Sequence, residues 1–214
     1  MDKNEAEVEA KALLAQELGN KHATTSFDGY AAFYMIMKRN KKTLTNSADL
    51  KTMMKLARLD QVLGTSIPKL ILDCCLYAPK KKFIKKLLSL DTTTDKATAV
   101  KNVLHYTDKE GTNCLIACFD LAAWYTMETG EYPPDPTTGM MAEIEESVHF
   151  LIELGVLNNV DMTSVLNHTT NEGSTLLFKA SFLSEKVATQ LLRRRLNVNT
   201  VNHLFMTSQF EVSK

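Results

Sequence analysis

The chain has 214 residues, of which 44% are hydrophobic and 23% charged, with 25 Lys and Arg against 25 Asp and Glu. This composition is typical of a folded domain and excludes an intrinsically disordered chain. The zero formal net charge excludes a molecule-wide positive field for nucleic acid or anionic lipid. No uncharged apolar run approaches about 18 residues, and the N-terminus lacks the pattern of a signal peptide. We therefore expect a cytoplasmic or nuclear protein, or one found in both compartments, with no membrane contact.

Apolar residues recur at helical spacing along most of the chain, and no segment alternates with a period of two. The predicted helices cover residues 5–18, 30–38, a stretch beginning at Ser47, 70–77, 80–90, 143–154 and 185–195. The chain is therefore predicted to be all-α, made of short helices.

Two stretches of the chain match each other without a gap. Residues 103–115, VLHYTDKEGTNCL, lie 62 positions before residues 165–177, VLNHTTNEGSTLL. Six of the thirteen paired positions are identical, among them the glycines Gly111 and Gly173. A match of this kind indicates two copies of one structural unit.

The second stretch and its continuation resemble the ankyrin repeat. That family's pattern is Gly-x-Thr-Pro-Leu-His-x-Ala-Ala, a tight turn, a second helix ending in a Leu-Leu pair and a closing Ala-Asp-Val-Asn. The residues that fall on it are Gly173, Thr175, Leu177, Ala180, the pair Leu191-Leu192 and the close at 196–199, LNVN. Leu176 and Phe178 depart from it, since they replace the proline and the histidine.

In the earlier copy the same places are taken by Gly111, Asn113, Leu115 and Cys118. Each glycine permits the positive φ that a turn before a helix requires. Asn113 and Thr175 each offer a side-chain oxygen that caps the helix that follows. The leucines are expected to face the core between the helices, and Cys118 and Ala180 to be small because neighbouring helices pack closely.

The resemblance implies one helical domain of stacked helix pairs. Its parts are an N-terminal set of helices or cap at 1–62, a degenerate repeat at 63–110, a repeat at 111–172 and a repeat at 173–202, followed by a tail at 203–214. Gly111 precedes Leu151 by 40 residues, whereas Gly173 precedes Leu191 by only 18. The earlier repeat therefore carries an insertion at 122–142, which we expect to project into solvent. Gly29 and Gly64 are each followed by two predicted helices, so they are interpreted as the first residues of two upstream helix pairs, without a match to the ankyrin motif. The alternative is that these helices form a cap that is not of the ankyrin type.

Residue types that support catalysis are scattered along the sequence. Phosphate-binding glycine loops, a nucleophile elbow and a HExxH motif are all missing from it. The cysteines Cys74, Cys75, Cys114 and Cys118 are interpreted as buried core residues. The alternative is a zinc site formed by Cys114 and Cys118 with His105 or His149. We therefore expect a protein that is not an enzyme and that holds no cofactor or metal.

The resemblance implies a protein–protein interaction scaffold, an adaptor without catalytic activity. In ankyrin-like proteins the loops before the first helices, called fingers, contribute to the binding face. By position these are His105, Tyr106, Asp108 and Lys109 in one finger and Asn167, His168, Thr170 and Asn171 in the next. Trp124 and Tyr125 in the insertion are further candidates to contact a protein partner, because aromatic residues often anchor interfaces; packing on the neighbouring repeat is their alternative role.

The alternative function is that of a nucleic-acid-associated factor that binds through the basic helix at 80–86. Lys81, Lys82, Lys85 and Lys86 are expected to form one basic face, suited to an acidic partner or, less favourably, to nucleic acid. A solvated helix face explains the same pattern. The acidic stretch 128–146 lies apart in sequence, so we expect charge segregation that orients a partner. The units at the two ends of such a stack have an exposed face that a second copy of the chain could bind, so a homo-oligomer is a further alternative.

Overall fold

The computed structural model describes residues 1–18, 47–77, 79–92, 95–129 and 139–193. Within these ranges the chain forms α-helices and no β-strand, which confirms the all-α prediction. The helices are α1 (Lys3–Leu18), α2 (Ser47–Val62), α3 (Ile67–Tyr77), α4 (Lys81–Leu88), α5 (Lys96–His105), α6 (Cys114–Thr129), α7 (Gly139–Leu157), α8 (Met162–Leu166), α9 (Leu176–Leu183) and α10 (Glu185–Arg193). The helix predicted over 30–38, the role given to Gly29, the close at 196–199 and the tail at 203–214 lie outside the described residues.

Six of the helices described pack as sequential pairs, α3 with α4, α6 with α7 and α9 with α10. The first helices α3, α6 and α9 contact one another in that order, and the second helices α4 and α7 lie side by side. α10 packs against α9, while α1 packs against α2 at the N-terminal side. None of the helices described combines the length and hydrophobicity needed to cross a lipid bilayer.

Helix α5 is a feature that the sequence interpretation missed. Asp95 caps it by accepting a hydrogen bond from the Thr98 amide at 3.0 Å. Val100, Val103 and Leu104 are buried where α5 contacts α3, α6 and α7. The sequence contained two signals for this helix, namely the helical spacing of these apolar residues and an aspartate at the N-cap position.

The insertion at 122–142 lengthens two helices and does not form a loop over its full extent. α6 continues through residues 122–129, and α7 begins at Gly139. Ala122 and Met141, at the two ends of the insertion, are both buried. The expectation of a segment that projects into solvent is therefore wrong at both ends, because apolar residues there extend the packed faces of α6 and α7.

Gly64 has a different role from the one predicted for it. Its φ of +105° ends α2, with the Thr65 amide donating to Asp60 O at 2.8 Å and the Gly64 amide donating to Gln61 O at 3.0 Å. This pair of bonds is the Schellman arrangement of a helix C-terminus. Ser66 then caps α3, where its Oγ accepts from the Lys69 amide at 3.4 Å. The α3–α4 pair thus follows a helix end directly, without a finger.

The acidic residues of α7 bind the basic residues of both neighbouring second helices. Lys80 and Lys81, at the start of α4, pair with Glu143 at 3.3 Å and Glu146 at 3.0 Å. On the other side Glu145 pairs with Lys186 of α10 at 3.1 Å. The prediction that basic and acidic surfaces are segregated is therefore wrong at α4 and α7, because lysines at the start of α4 form ion pairs with glutamates of α7.

Candidate functional site

Two short turns stand at equivalent places before α6 and α9. We call residues 106–113 finger 1 and residues 168–175 finger 2. An antiparallel bridge closes each turn, joining Thr107 to Asn113 in finger 1 and Thr169 to Thr175 in finger 2. In finger 1 the Asp108 amide donates to Thr112 O at 3.2 Å, and in finger 2 the Thr170 amide donates to Ser174 O at 2.9 Å. The bonds that close the two turns are the same at a separation of 62 residues.

The glycine in each finger adopts the backbone conformation that the sequence predicts. Gly111 has a φ of +78° and Gly173 a φ of +81°. Both amides donate to the carbonyl three residues earlier, at Asp108 and Thr170, over 3.1 and 2.9 Å. A residue with a Cβ rarely adopts this region, so glycine is required by the geometry of the turn.

The predicted helix caps are confirmed in both copies. Asn113 Oδ1 accepts from the Ile116 amide at 3.0 Å at the start of α6. Thr175 Oγ1 accepts from the Phe178 amide at 3.1 Å at the start of α9. Each side chain supplies an acceptor to an amide that the first turn of a helix leaves without a partner.

Four contacts hold finger 2 and the residues before it directly against finger 1. The Asn171 amide donates to Glu110 O at 3.0 Å, and Asn171 Nδ2 donates to Lys109 O at 2.9 Å. His168 Nε2 lies 2.6 Å from Gly111 O and donates to it. Asn113 Nδ2 donates to Val165 O at 3.2 Å in the opposite direction. The two turns therefore form one continuous surface.

The finger residues predicted to bind a partner divide into two groups. His105, Lys109 and Asn171 are exposed, whereas Tyr106, Asp108, Asn167 and His168 are half-buried and Thr170 is buried. Several of the second group hold the turns together, because Asp108 Oδ1 accepts from the Thr112 amide at 2.7 Å and Thr170 Oγ1 accepts from the Ser174 amide at 3.1 Å. Thr170 is therefore a buried residue that helps to close its own turn. The contact of these finger residues with a partner stays a prediction.

The fingers also present two exposed acids that the sequence interpretation left out of the site. Glu110 and Glu172 directly precede Gly111 and Gly173 and are exposed at the tips. Lys109, whose side chain is 89% exposed, lies 3.5 Å from Glu110. The signal that identifies them is their shared place in the repeat, one residue before each glycine. The paired fingers thus present two carboxylates, one ammonium group and one amide, and the exposed imidazole of His105 directly precedes finger 1.

The remaining candidates lie away from the fingers. Trp124 and Tyr125 belong to α6, and their side chains lie outside the described part of the structure. Lys82, Lys85 and Lys86 are exposed on α4, whereas Lys81 is engaged by Glu146. Only part of the predicted basic face is therefore available to a partner.

The four cysteines are buried between the first helices. Burial raises the pKa of the Cys74 and Cys114 thiols far above the ordinary value. A hydrogen bond with Cys118 and burial raise the pKa of Cys75 in the same direction. Cys118 Sγ donates to Cys114 O at 3.2 Å. Within the described ranges no three His, Cys, Asp or Glu side chains gather in a geometry suited to a metal ion.

A buried carboxylate lies on α3. Asp73 is fully buried, and its Oδ1 accepts from Lys69 Nζ on the same helix. Oδ2 has no hydrogen-bond partner among the described residues. Burial is the main cause that raises the pKa of Asp73, and the Lys69 ammonium acts in the opposite direction.

Comparison of the chain with protein-family models, with curated protein sequences and with solved structures finds no match.

Proposed function

We propose that the chain is a protein-binding scaffold without catalytic activity, built as a divergent ankyrin-type stack that binds its partner through fingers 1 and 2. The observation that carries the proposal is one turn, closed by the same backbone hydrogen bonds, that occurs twice at a separation of 62 residues with direct hydrogen bonds between the copies. Repeats that stack in this way extend a surface along one direction, and such surfaces serve macromolecular recognition.

The rigidity of the fingers supports a binding role. Asn171 and His168 fix finger 2 to finger 1 through carbonyl groups, so their exposed tips keep one relative position. A binding surface that is ordered before the partner arrives loses little conformational entropy on association. The tips offer Lys109, Glu110 and Glu172, which suit a polar protein surface.

The chemistry of the buried groups supports a role other than catalysis. A thiol is reactive as its thiolate, and the raised pKa values of Cys74, Cys75 and Cys114 keep these groups protonated. All four cysteines serve instead as small apolar residues between α3 and α6.

Nucleic-acid binding has less support. Lys80 and Lys81 are paired with Glu143 and Glu146, so the positive potential of α4 is reduced at its N-terminal end. A nucleic-acid interface gains affinity when unpaired Lys or Arg side chains bind phosphates and release the counterions that were condensed there. Lys82, Lys85 and Lys86 alone provide a short basic surface.

The test is capture of partners from a native extract with the tagged full-length chain, followed by quantitative mass spectrometry. The variant Lys109→Glu/Glu110→Lys/Glu172→Lys changes the finger tips and leaves the backbone bonds of both turns in place. The control Glu7→Lys/Lys11→Glu exchanges the charges of an ion pair away from the fingers, whose atoms lie 2.6 Å apart on α1.

We expect at least one protein to be retained by the wild type and by the α1 control but lost from the finger variant. Circular dichroism must show that all three chains are equally folded. Retention of the same proteins by all three chains would contradict binding through the fingers, as would the capture of no specific protein by the wild type.

A further inference from the structure

A groove lies between α4, α5 and α7, and its lining residues include none from finger 1 or finger 2. Its volume is about 450 Å³, within the range of sites that hold a ligand or a peptide side-chain cluster. Leu88, Val100, Phe150 and Leu154 form an apolar floor, and Lys85 and Lys96 stand at its rim. The floor brings together residues that are far apart in the sequence, from three helices.

The two rim lysines have cationic groups that are available to a ligand. Among the described residues neither Lys85 nor Lys96 takes part in an ion pair. Lys85 Nζ lies 5.3 Å from the centre of the Phe150 ring, which holds the ammonium group beside the floor. Among the described residues, Asp91 is the single carboxylate that lines the groove.

A second groove between helices differs from the first in the charges of the residues that line it. It lies between α7 and α10 and has a volume of about 310 Å³. If the buried residues Leu87 and Leu151 are aligned, then Lys85, Leu88 and Ser89 correspond to His149, Ile152 and Glu153. The second rim carries one acid, Glu153, and one base, Arg193, whereas the first has two lysines against one aspartate. The excess of positive charge over an apolar floor belongs to the first groove.

We propose that the groove between α4, α5 and α7 binds the apolar face of a short amphipathic helix from a partner protein, flanked by Glu or Asp side chains. An apolar trough between helices is suited to the apolar face of a partner helix, and the rim charges select the sign of the flanking residues. The site does not depend on the fingers, so this binding and the proposed scaffold function succeed or fail separately.

The test uses a fluorescein-labelled helical peptide of about 14 residues, with Leu and Phe on one face and Glu on the other, in a polarisation assay with the full chain. A second peptide has Lys in place of every Glu. The expected result is saturable binding of the glutamate peptide and a much weaker response with the lysine peptide.

A second pair of lysine substitutions, on α4, provides the matched control. Lys85→Glu/Lys96→Glu is expected to weaken binding of the glutamate peptide by about tenfold or more. Lys82→Glu/Lys86→Glu makes an equal charge change at exposed positions that do not line the groove, and is expected to change affinity less than about threefold. Ala99→Leu fills the groove without changing charge and is expected to abolish binding, with folding checked by thermal melting. The finger variant should bind the peptide as the wild type does.

The proposal would be overturned by equal binding of the two peptides, by an equal loss in the two lysine variants, or by binding of the glutamate peptide that survives Ala99→Leu. Binding of dodecanoate without binding of the glutamate peptide would likewise reject a helical peptide as the occupant.

Discussion

The contact between the two fingers predicts a measurable coupling between Gly111 and Asn171. A Cβ added at Gly111 would lie 2.8 Å from Asn171 Oδ1 and 3.1 Å from the Asn171 amide nitrogen. The substitution Gly111→Ala therefore adds a collision with finger 2 to the cost of placing alanine at a positive φ.

The backbone strain costs about 1–2 kcal/mol. Displacement of Asn171 also weakens its two hydrogen bonds to finger 1, each contributing about 1 kcal/mol. We therefore expect Gly111→Ala to lower the free energy of unfolding by about 2–4 kcal/mol. Asn171→Ala removes one side-chain bond and is expected to cost about 0.5–1 kcal/mol.

The double variant Gly111→Ala/Asn171→Ala tests whether the collision exists. With the Asn171 side chain removed, the new methyl group no longer meets Oδ1, so the combined loss should fall short of the sum by about 1 kcal/mol. Urea unfolding followed by circular dichroism measures each free energy.

Gly64→Ala supplies the control, because Gly64 also has a positive φ but has nothing within 4 Å of an added Cβ. Its combination with Asn171→Ala should be additive within about 0.5 kcal/mol. Equal additivity in both pairs would refute the contact between the fingers.

Three further predictions concern buried groups and the contact between α7 and α10. Asp73→Asn should raise the free energy of unfolding by about 1 kcal/mol at neutral pH. Burial raises the pKa of Asp73 above the ordinary 3.8, so the free energy of unfolding should fall as the pH rises from 3.8 towards the raised pKa of the folded state. Urea unfolding at several pH values should show this fall in the wild type and a smaller one in Asp73→Asn. Iodoacetamide should modify the cysteines roughly a hundredfold more slowly in the native chain than in urea, as measured by mass spectrometry, and rapid native labelling would contradict their burial. Glu145→Ala should destabilise the chain by about 1 kcal/mol through loss of its bonds to Ser184 and Lys186, and Glu145→Gln by less, because Gln keeps an acceptor for the Ser184 hydroxyl at 2.7 Å.

The sequence was sufficient to predict the local structure of the repeated unit. Gly111 and Gly173 have the expected positive φ, and Asn113 and Thr175 make the expected caps. These features depend on the backbone requirements of single residues within a few positions of one another, so the residue types alone identify them.

Features that depend on partners distant in the sequence were not predictable in the same way. The use of Asn171 and His168 to fasten finger 2 depends on carbonyl groups 62 and 57 residues away, respectively. The pairing of Lys80 and Lys81 with α7 likewise depends on which helices become neighbours. The lengthened ends of α6 and α7 were misread because an insertion between two helices has no fixed division between helix and loop in the sequence.

The most direct test of the scaffold proposal is amide hydrogen exchange of the chain alone and with the partner captured by the wild type and lost from the finger variant. Binding through the paired fingers should slow exchange at residues 105–112 and 167–174 together, since Asn171 joins the two turns. Exchange that is unchanged in both segments, while another surface becomes protected, would contradict the fingers as the binding site.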